Sequence, residues 1–144
     1  MTTTKARRVV LLAEDNANDE LLMRMAFDDV GVSHSLFAVG DGKSALAYLS
    51  GEGRFNDREK HPVPALIIAD LKMPVLDGFA LLGELQSTPE LDQIPVVVLS
   101  SSLHDDDIKR AKDLGANDYL VKPMTYAQLV EIVRSLHARW LSDR

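Results

Sequence analysis

Short apolar runs alternate with amphipathic stretches along this chain, and their order predicts a βα repeat. Val9 to Ala13 is unbroken apolar sequence, as expected of a strand buried on both faces. Asn18 or Asp19 reads as the cap of a first helix that turns Leu21, Leu22, Met25 and Ala26 inward and closes at Gly31. Ser33 to Val39 reads as a second strand, Asp41-Gly42 as a turn, and Ala45, Leu46 and Leu49 as the inner side of a second helix. Periodicity lapses in GEGRFNDREKHPVP, a loop or frayed helical extension by its Gly, Pro and polar content. It resumes at Ala65 to Ala69, a third strand that runs into Asp70. A third helix after Gly78 carries Phe79, Leu81, Leu82 and Leu85, and Pro89 stops it.

Pro95 leads into VVVL, a fourth strand ending at Ser100, and Asp105 to Leu114 reads as a helix stopped by Gly115. Tyr119, Leu120 and Val121 form a short fifth strand before Lys122-Pro123. Thr125 caps a last helix whose Leu129, Ile132, Val133, Leu136 and Trp140 keep helical spacing. Five strands alternating with five helices imply an α/β domain, a doubly wound parallel sheet covered on both faces. The chain shows neither an internal repeat nor a linker to a second domain.

Composition narrows the function. At 144 residues, 46 % apolar and 26 % charged, the sequence suits one globular domain. The absence of cysteine excludes disulfides, thiolate metal sites and cysteine nucleophiles, and suits a cytoplasmic setting. A formal charge of -6 disfavours nucleic acid as a partner, and the small basic group Lys5, Arg7 and Arg8 reads as a solvated end. No run is long enough for a membrane span, and MTTTKARR before VVLLAED is no signal peptide, so a soluble, unexported protein is expected.

Open α/β sheets place their sites beyond the C-terminal ends of their strands, where the conspicuous polar residues of this chain fall. Glu14 and Asp15 follow strand one, Asp70 follows strand three, Ser100 strand four and Lys122 strand five. Three carboxylates brought together repel one another and call for a cation. With no His or Cys among them, the oxygen donors favour a hard ion such as magnesium. Lys122 and the Ser100 hydroxyl complement the other oxygens of a phosphoryl group, so the set suits phosphoryl transfer onto a carboxylate. Taken singly, each residue has a plainer role: Glu14 or Asp15 a helix-capping acid, Asp70 a turn initiator, Ser100 part of a polar loop, Lys122 a solvated cation. A small nucleotide-binding domain is a further alternative, although no Gly-rich phosphate loop occurs.

VVLLAEDN, LIIADLKMPVLDG, PVVVLSSS and DYLVKP, in this order, resemble the receiver domain of bacterial two-component response regulators. The resemblance spans residues 7–141, leaving 1–6 and 142–144 as tails, and implies a flavodoxin-like strand order of 2-1-3-4-5. It further implies that Glu14 and Asp15 are the metal pair, Asp70 the phosphoacceptor and the Lys72 backbone carbonyl a further magnesium ligand. Ser100 corresponds to the hydroxyl residue that moves toward the phosphoryl group and Tyr119 to the aromatic switch. Lys122 corresponds to the phosphate-binding lysine, which in the family usually precedes a cis proline. By the same resemblance, Lys72 and Ser102 are expected to flank the path of the attacking water and to set the phosphoryl lifetime. Glu14 and Ser100 depart from the commoner Asp and Thr while keeping the chemistry.

The longer segment at 51–64 is similar to the stand-alone regulators of bacterial phytochrome histidine kinases, which implies a sensor histidine kinase as partner. Phosphorylation would change the C-terminal face, and a homodimer contacting through Ile108, Ala111 and Trp140 is the expected assembly. The competing readings are a phosphorylation-independent dimerising scaffold and a hydrolase working through an aspartyl-phosphate. Receiver chemistry of this kind is self-directed phosphotransfer and dephosphorylation, not conventional turnover.

Overall fold

The computed structural model describes residues 8–142; Lys5, Arg7 and the outermost residues of both tails lie outside the described residues. The strands are β1 (Val9–Ala13), β2 (Ser35–Val39), β3 (Leu66–Ala69), β4 (Val96–Ser100) and β5 (Asp118–Val121). The helices are α1 (Ala17–Val30), α2 (Gly42–Ser50), α3 (Gly78–Gln86), α4 (Asp105–Asp113) and α5 (Tyr126–Leu136). All neighbouring strands pair in parallel in the order β2-β1-β3-β4-β5, as expected.

Every residue of β1, β3 and β4 is buried, so their continuous apolar runs supply both faces of the sheet. Leu11, Ile67 and Val98 pack into the core under α2, α3 and α4. Their neighbours Val10, Ile68 and Val97 enter the opposite core with α1 and α5. Complete burial of each such side chain stabilises the fold by about 1.5–3 kcal/mol. Ala13 pairs with both Val39 and Ala69, and Ser100 with Val121, so the strands finish almost level and their next residues share one rim.

Three local readings of the sequence are corrected. The cap of α1 is Asn16, whose side chain accepts a hydrogen bond from Asp19 N–H at 2.9 Å, and not Asn18 or Asp19. The buried side of α1 is Met23, Ala26 and Phe27; Leu21, Leu22 and Met25 are exposed. Both sets have helical spacing, and the rotation adopted puts the bulky Phe27 against the sheet and Asp19, four residues before Met23, on the same inward stripe. At the other end, α5 widens into a π-helical turn over His137–Leu141. That extra residue per turn shifts the inward position from Trp140 to Leu141, which is buried while Trp140 is only half so.

Residues 51–64 form a loop, as read, but one that packs against the domain. Gly53–Phe55 forms one 3₁₀ turn, and the Phe55 side chain is buried. Phe37, Tyr48, Phe55 and His61 meet in a cluster with ring centroids 5.0–5.9 Å apart. Arg58 donates to the carbonyls of Tyr48, Leu49 and His61, satisfying orphan acceptors at the end of α2. The segment is thus a packed extension of the core.

Candidate phosphoryl-transfer and metal site

The rim brings Glu14, Asp15 and Asp70 together, with one carboxylate oxygen of each lying within 4.8 Å of the others. Glu14 and Asp70 are buried and Asp15 is exposed, so the cluster has a dry floor and a wet mouth. Opposed ligands of a magnesium ion stand about 4.2 Å apart, twice the usual bond length, so a small inward movement or one bridging water closes the set. Carboxylate oxygens without nitrogen or sulfur are the donors a hard divalent ion requires, and the residues present therefore fit magnesium.

Main-chain geometry aims the acids. Asp70 Oδ1 accepts from Leu71 N–H at 2.7 Å, while Oδ2 faces Lys122. Glu14 Oε2 accepts from Asn16 N–H at 3.1 Å, which ties the acid to the cap of α1. Burial pushes the Glu14 carboxyl above the ordinary glutamate range, against the hydrogen bonds from Lys122 and Asn16 that pull it down. Lys122 Nζ donates to Asp70 Oδ2 at 2.9 Å and to Asp19 Oδ2 at 2.8 Å, and pairs with Glu14 Oε1 at 3.0 Å. Burial works against the lysine's charge, but hydrogen bonds to Asp19, Asp70 and Glu14 outweigh it and hold the ammonium firmly protonated.

On the adjoining side a cleft is lined by Asp15, Lys72, Ser100, Ser102 and Asp107. Ser100 ends β4 with its hydroxyl buried and accepting from Ser102 N–H at 3.3 Å. The Ser102 hydroxyl donates to Asp107 Oδ2 at 2.6 Å, so it is not simply solvated. Tyr119 is already turned inward: it is buried, and its hydroxyl donates to the Ser102 carbonyl at 2.9 Å. Lys72 is exposed at the mouth. The peptide bonds of the described residues are all trans, so the cis bond expected before Pro123 is corrected.

Two acids escaped the sequence reading. Asp19 reads from sequence only as a cap, although its position four residues before an inward Met marks the side of α1 that faces the rest of the fold; Asp107 lies within an acidic first turn, where a dipole role is the ordinary one. The proposed contact patch is also corrected. Ala111 is fully buried and unavailable to a partner, while Ile108 and Trp140 pack against cores on opposite faces of the sheet.

A parallel sheet with an acidic triad and a lysine gathered at its C-terminal rim defines an α/β domain built to handle phosphoryl groups with a divalent metal. The profile of the response regulator receiver domain matches residues 10–134. The chain belongs to that family. It is 35 % identical over 134 residues to Response regulator Rcp1 of Synechocystis sp. (strain ATCC 27184 / PCC 6803 / Kazusa), covering 93 % of this chain and 89 % of that one. Among solved structures it is similar to the phosphorylated cyanobacterial phytochrome response regulator RcpA, with 40 % identity, a TM-score of 0.87 and coverage of 95 % and 96 % of the two chains. It is equally similar in shape to response regulator RPA3017 in red light signaling of R. palustris, at 37 % identity and a TM-score of 0.88, covering 94 % and 96 %. Among the described residues, no helix is long and apolar enough to cross a membrane.

Proposed function

We propose that this receiver takes a phosphoryl group on Asp70 from a sensor histidine kinase of the phytochrome type and signals through the resulting change at its C-terminal face. The observation that carries the reading is the meeting of Glu14, Asp15 and Asp70 within 4.8 Å, with Lys122 Nζ 2.9 Å from Asp70 Oδ2. The similarity to phytochrome response regulators supports the choice of kinase.

In the transfer, a carboxylate oxygen of Asp70 attacks phosphorus as the phosphorus–nitrogen bond of a phosphohistidine breaks, and the imidazole leaves with the bonding electron pair. Glu14, Asp15, Asp70 and the Lys72 carbonyl would hold magnesium, which would neutralise charge on the transferring group. Lys122 and the Ser100 hydroxyl bind the remaining oxygens. Ser102 and Lys72 border the approach of hydrolytic water and set the lifetime of the acyl phosphate. Tyr119, bonded to the Ser102 carbonyl, couples this loop to β5.

Incubation with acetyl phosphate and magnesium should give stoichiometric acid-labile phosphorylation, abolished by EDTA; label that persists in EDTA would reject a metal-dependent site. For assembly we retain the homodimer with Trp140 as its contact, since that ring is half-buried at the end of α5. Sedimentation should show a dimer that Trp140→Ala weakens about tenfold, within the range of an interface anchor. A monomer at every concentration, with and without phosphate, would remove self-association and leave docking of a different protein.

A further inference from the structure

A lysine ammonium has three hydrogens to donate, and in this protein each of them faces a carboxylate. Two of the acids, Glu14 and Asp70, belong to the metal triad. The third, Asp19, does not, yet at 2.8 Å its contact with Lys122 Nζ is the shortest of the three. The Asp19 backbone is fixed independently, because its N–H is held by the Asn16 cap at 2.9 Å. Its carboxylate is consequently free to reach across to the loop after β5. Glu14, Asp19, Asp70 and Lys122 together line a recess between α1 and that loop, whereas Asp15, Lys72, Ser100 and Ser102 line a separate cleft. The lysine is drawn toward the recess.

We propose that Asp19 is a positioning residue, a latch that holds Lys122 toward α1 in the unphosphorylated protein and competes with phosphoryl oxygens for its ammonium. The proposal rests on the reading of Asp70 as phosphoacceptor. A phosphoryl group there takes over the donor that Asp70 now accepts, but its oxygens stand beyond the carboxylate, so the ammonium has to shift and give up one of its other two contacts. Exposure decides which one: the Asp19 side chain is 40 % exposed against 6 % for Glu14, so water replaces the lysine at Asp19 with little penalty. Glu14, buried, would be stranded without its partner.

The test uses Asp19→Asn and Asp19→Glu in the whole protein, titrated with the phosphoryl mimic beryllofluoride in the presence of magnesium. Asp19→Asn keeps the backbone N–H that the cap uses, and it should bind the mimic about fivefold more tightly, the upper range for a partly exposed ion pair. Asp19→Glu, which restores the charge, should return the affinity toward wild type. A merely structural role moves the affinity the other way, since a weakened α1 lowers binding along with the melting temperature. Unchanged or weaker binding by Asp19→Asn overturns the latch.

A second readout separates this result from the assignment of Asp70. Acylation of Lys122 by a neutral amine reagent at one fixed pH, followed by peptide mass spectrometry, needs no phosphoryl group. Release from Asp19 should speed it about fivefold in Asp19→Asn. Should the wild-type protein fail to bind beryllofluoride, the acceptor assignment fails while the acylation rates still decide the latch; equal rates reject it.

Discussion

Asp70→Asn protein is expected to take up no acid-labile phosphate, from a kinase or from a small donor, while remaining folded. The amide lacks a carboxylate oxygen able to form an acyl phosphate, and no other acid occupies the same position between Leu71 N–H and Lys122. The fold survives because Lys122 keeps Glu14 and Asp19 as partners. Loss of one charge-assisted hydrogen bond, worth about 1.5–3 kcal/mol, is offset by relief of repulsion between Asp70 and Glu14. Urea denaturation should therefore place the variant within about 1 kcal/mol of wild type. Label of undiminished intensity, mapped to another residue, would show that the site has been assigned to the wrong carboxylate.

Gly78→Ala should be nearly as damaging without removing any reacting group. A Cβ at position 78 would stand 2.4 Å from the Asp70 carbonyl oxygen and 2.7 Å from Leu71 Cα. Both are main-chain atoms, so neither can swing aside as a side chain would. Gly78 N–H also donates to the Leu71 carbonyl at 2.9 Å, which locks the start of α3 to the loop bearing the acceptor. Relief of the clash has to displace that loop, at roughly 3 kcal/mol in stability. A displacement near 1 Å at a reacting oxygen costs about 100-fold in rate. Gly83→Ala is the control: nothing lies within 4 Å of its Cβ, and replacing a glycine inside α3 should stabilise the protein by about 1 kcal/mol. A Gly78→Ala protein with wild-type labelling kinetics would mean that α3 does not set the position of Asp70.

Most of the site was legible in the sequence because strand ends are legible. The buried parallel strands are written as continuous apolar runs, and Glu14, Asp15, Asp70 and Ser100 sit at or just beyond their last residues. Asp19 was not legible for a reason of rotation. Two sets of apolar positions on α1 have equal helical spacing, and only contact with the rest of the fold selects Met23, Ala26 and Phe27, carrying Asp19 inward with them. The end of α5 failed differently: spacing arguments assume 3.6 residues per turn, and the π-helical turn at His137–Leu141 breaks that assumption. Ala111 is hidden from a sequence reading because an alanine on a short, highly charged helix carries little hydrophobic signal, yet it is the residue α4 presses fully into the core.

The aromatic cluster under residues 51–64 bears on how such a domain can be altered. Trimming this segment to the length of a minimal receiver would take away Phe55, Arg58 and His61, the ring neighbours of Tyr48 and the donor to the last carbonyls of α2, and open both to water. The segment differs in this respect from a surface insertion that can be cut and resealed: its excision removes a wall, and the exposed edge beside β2 would become adhesive.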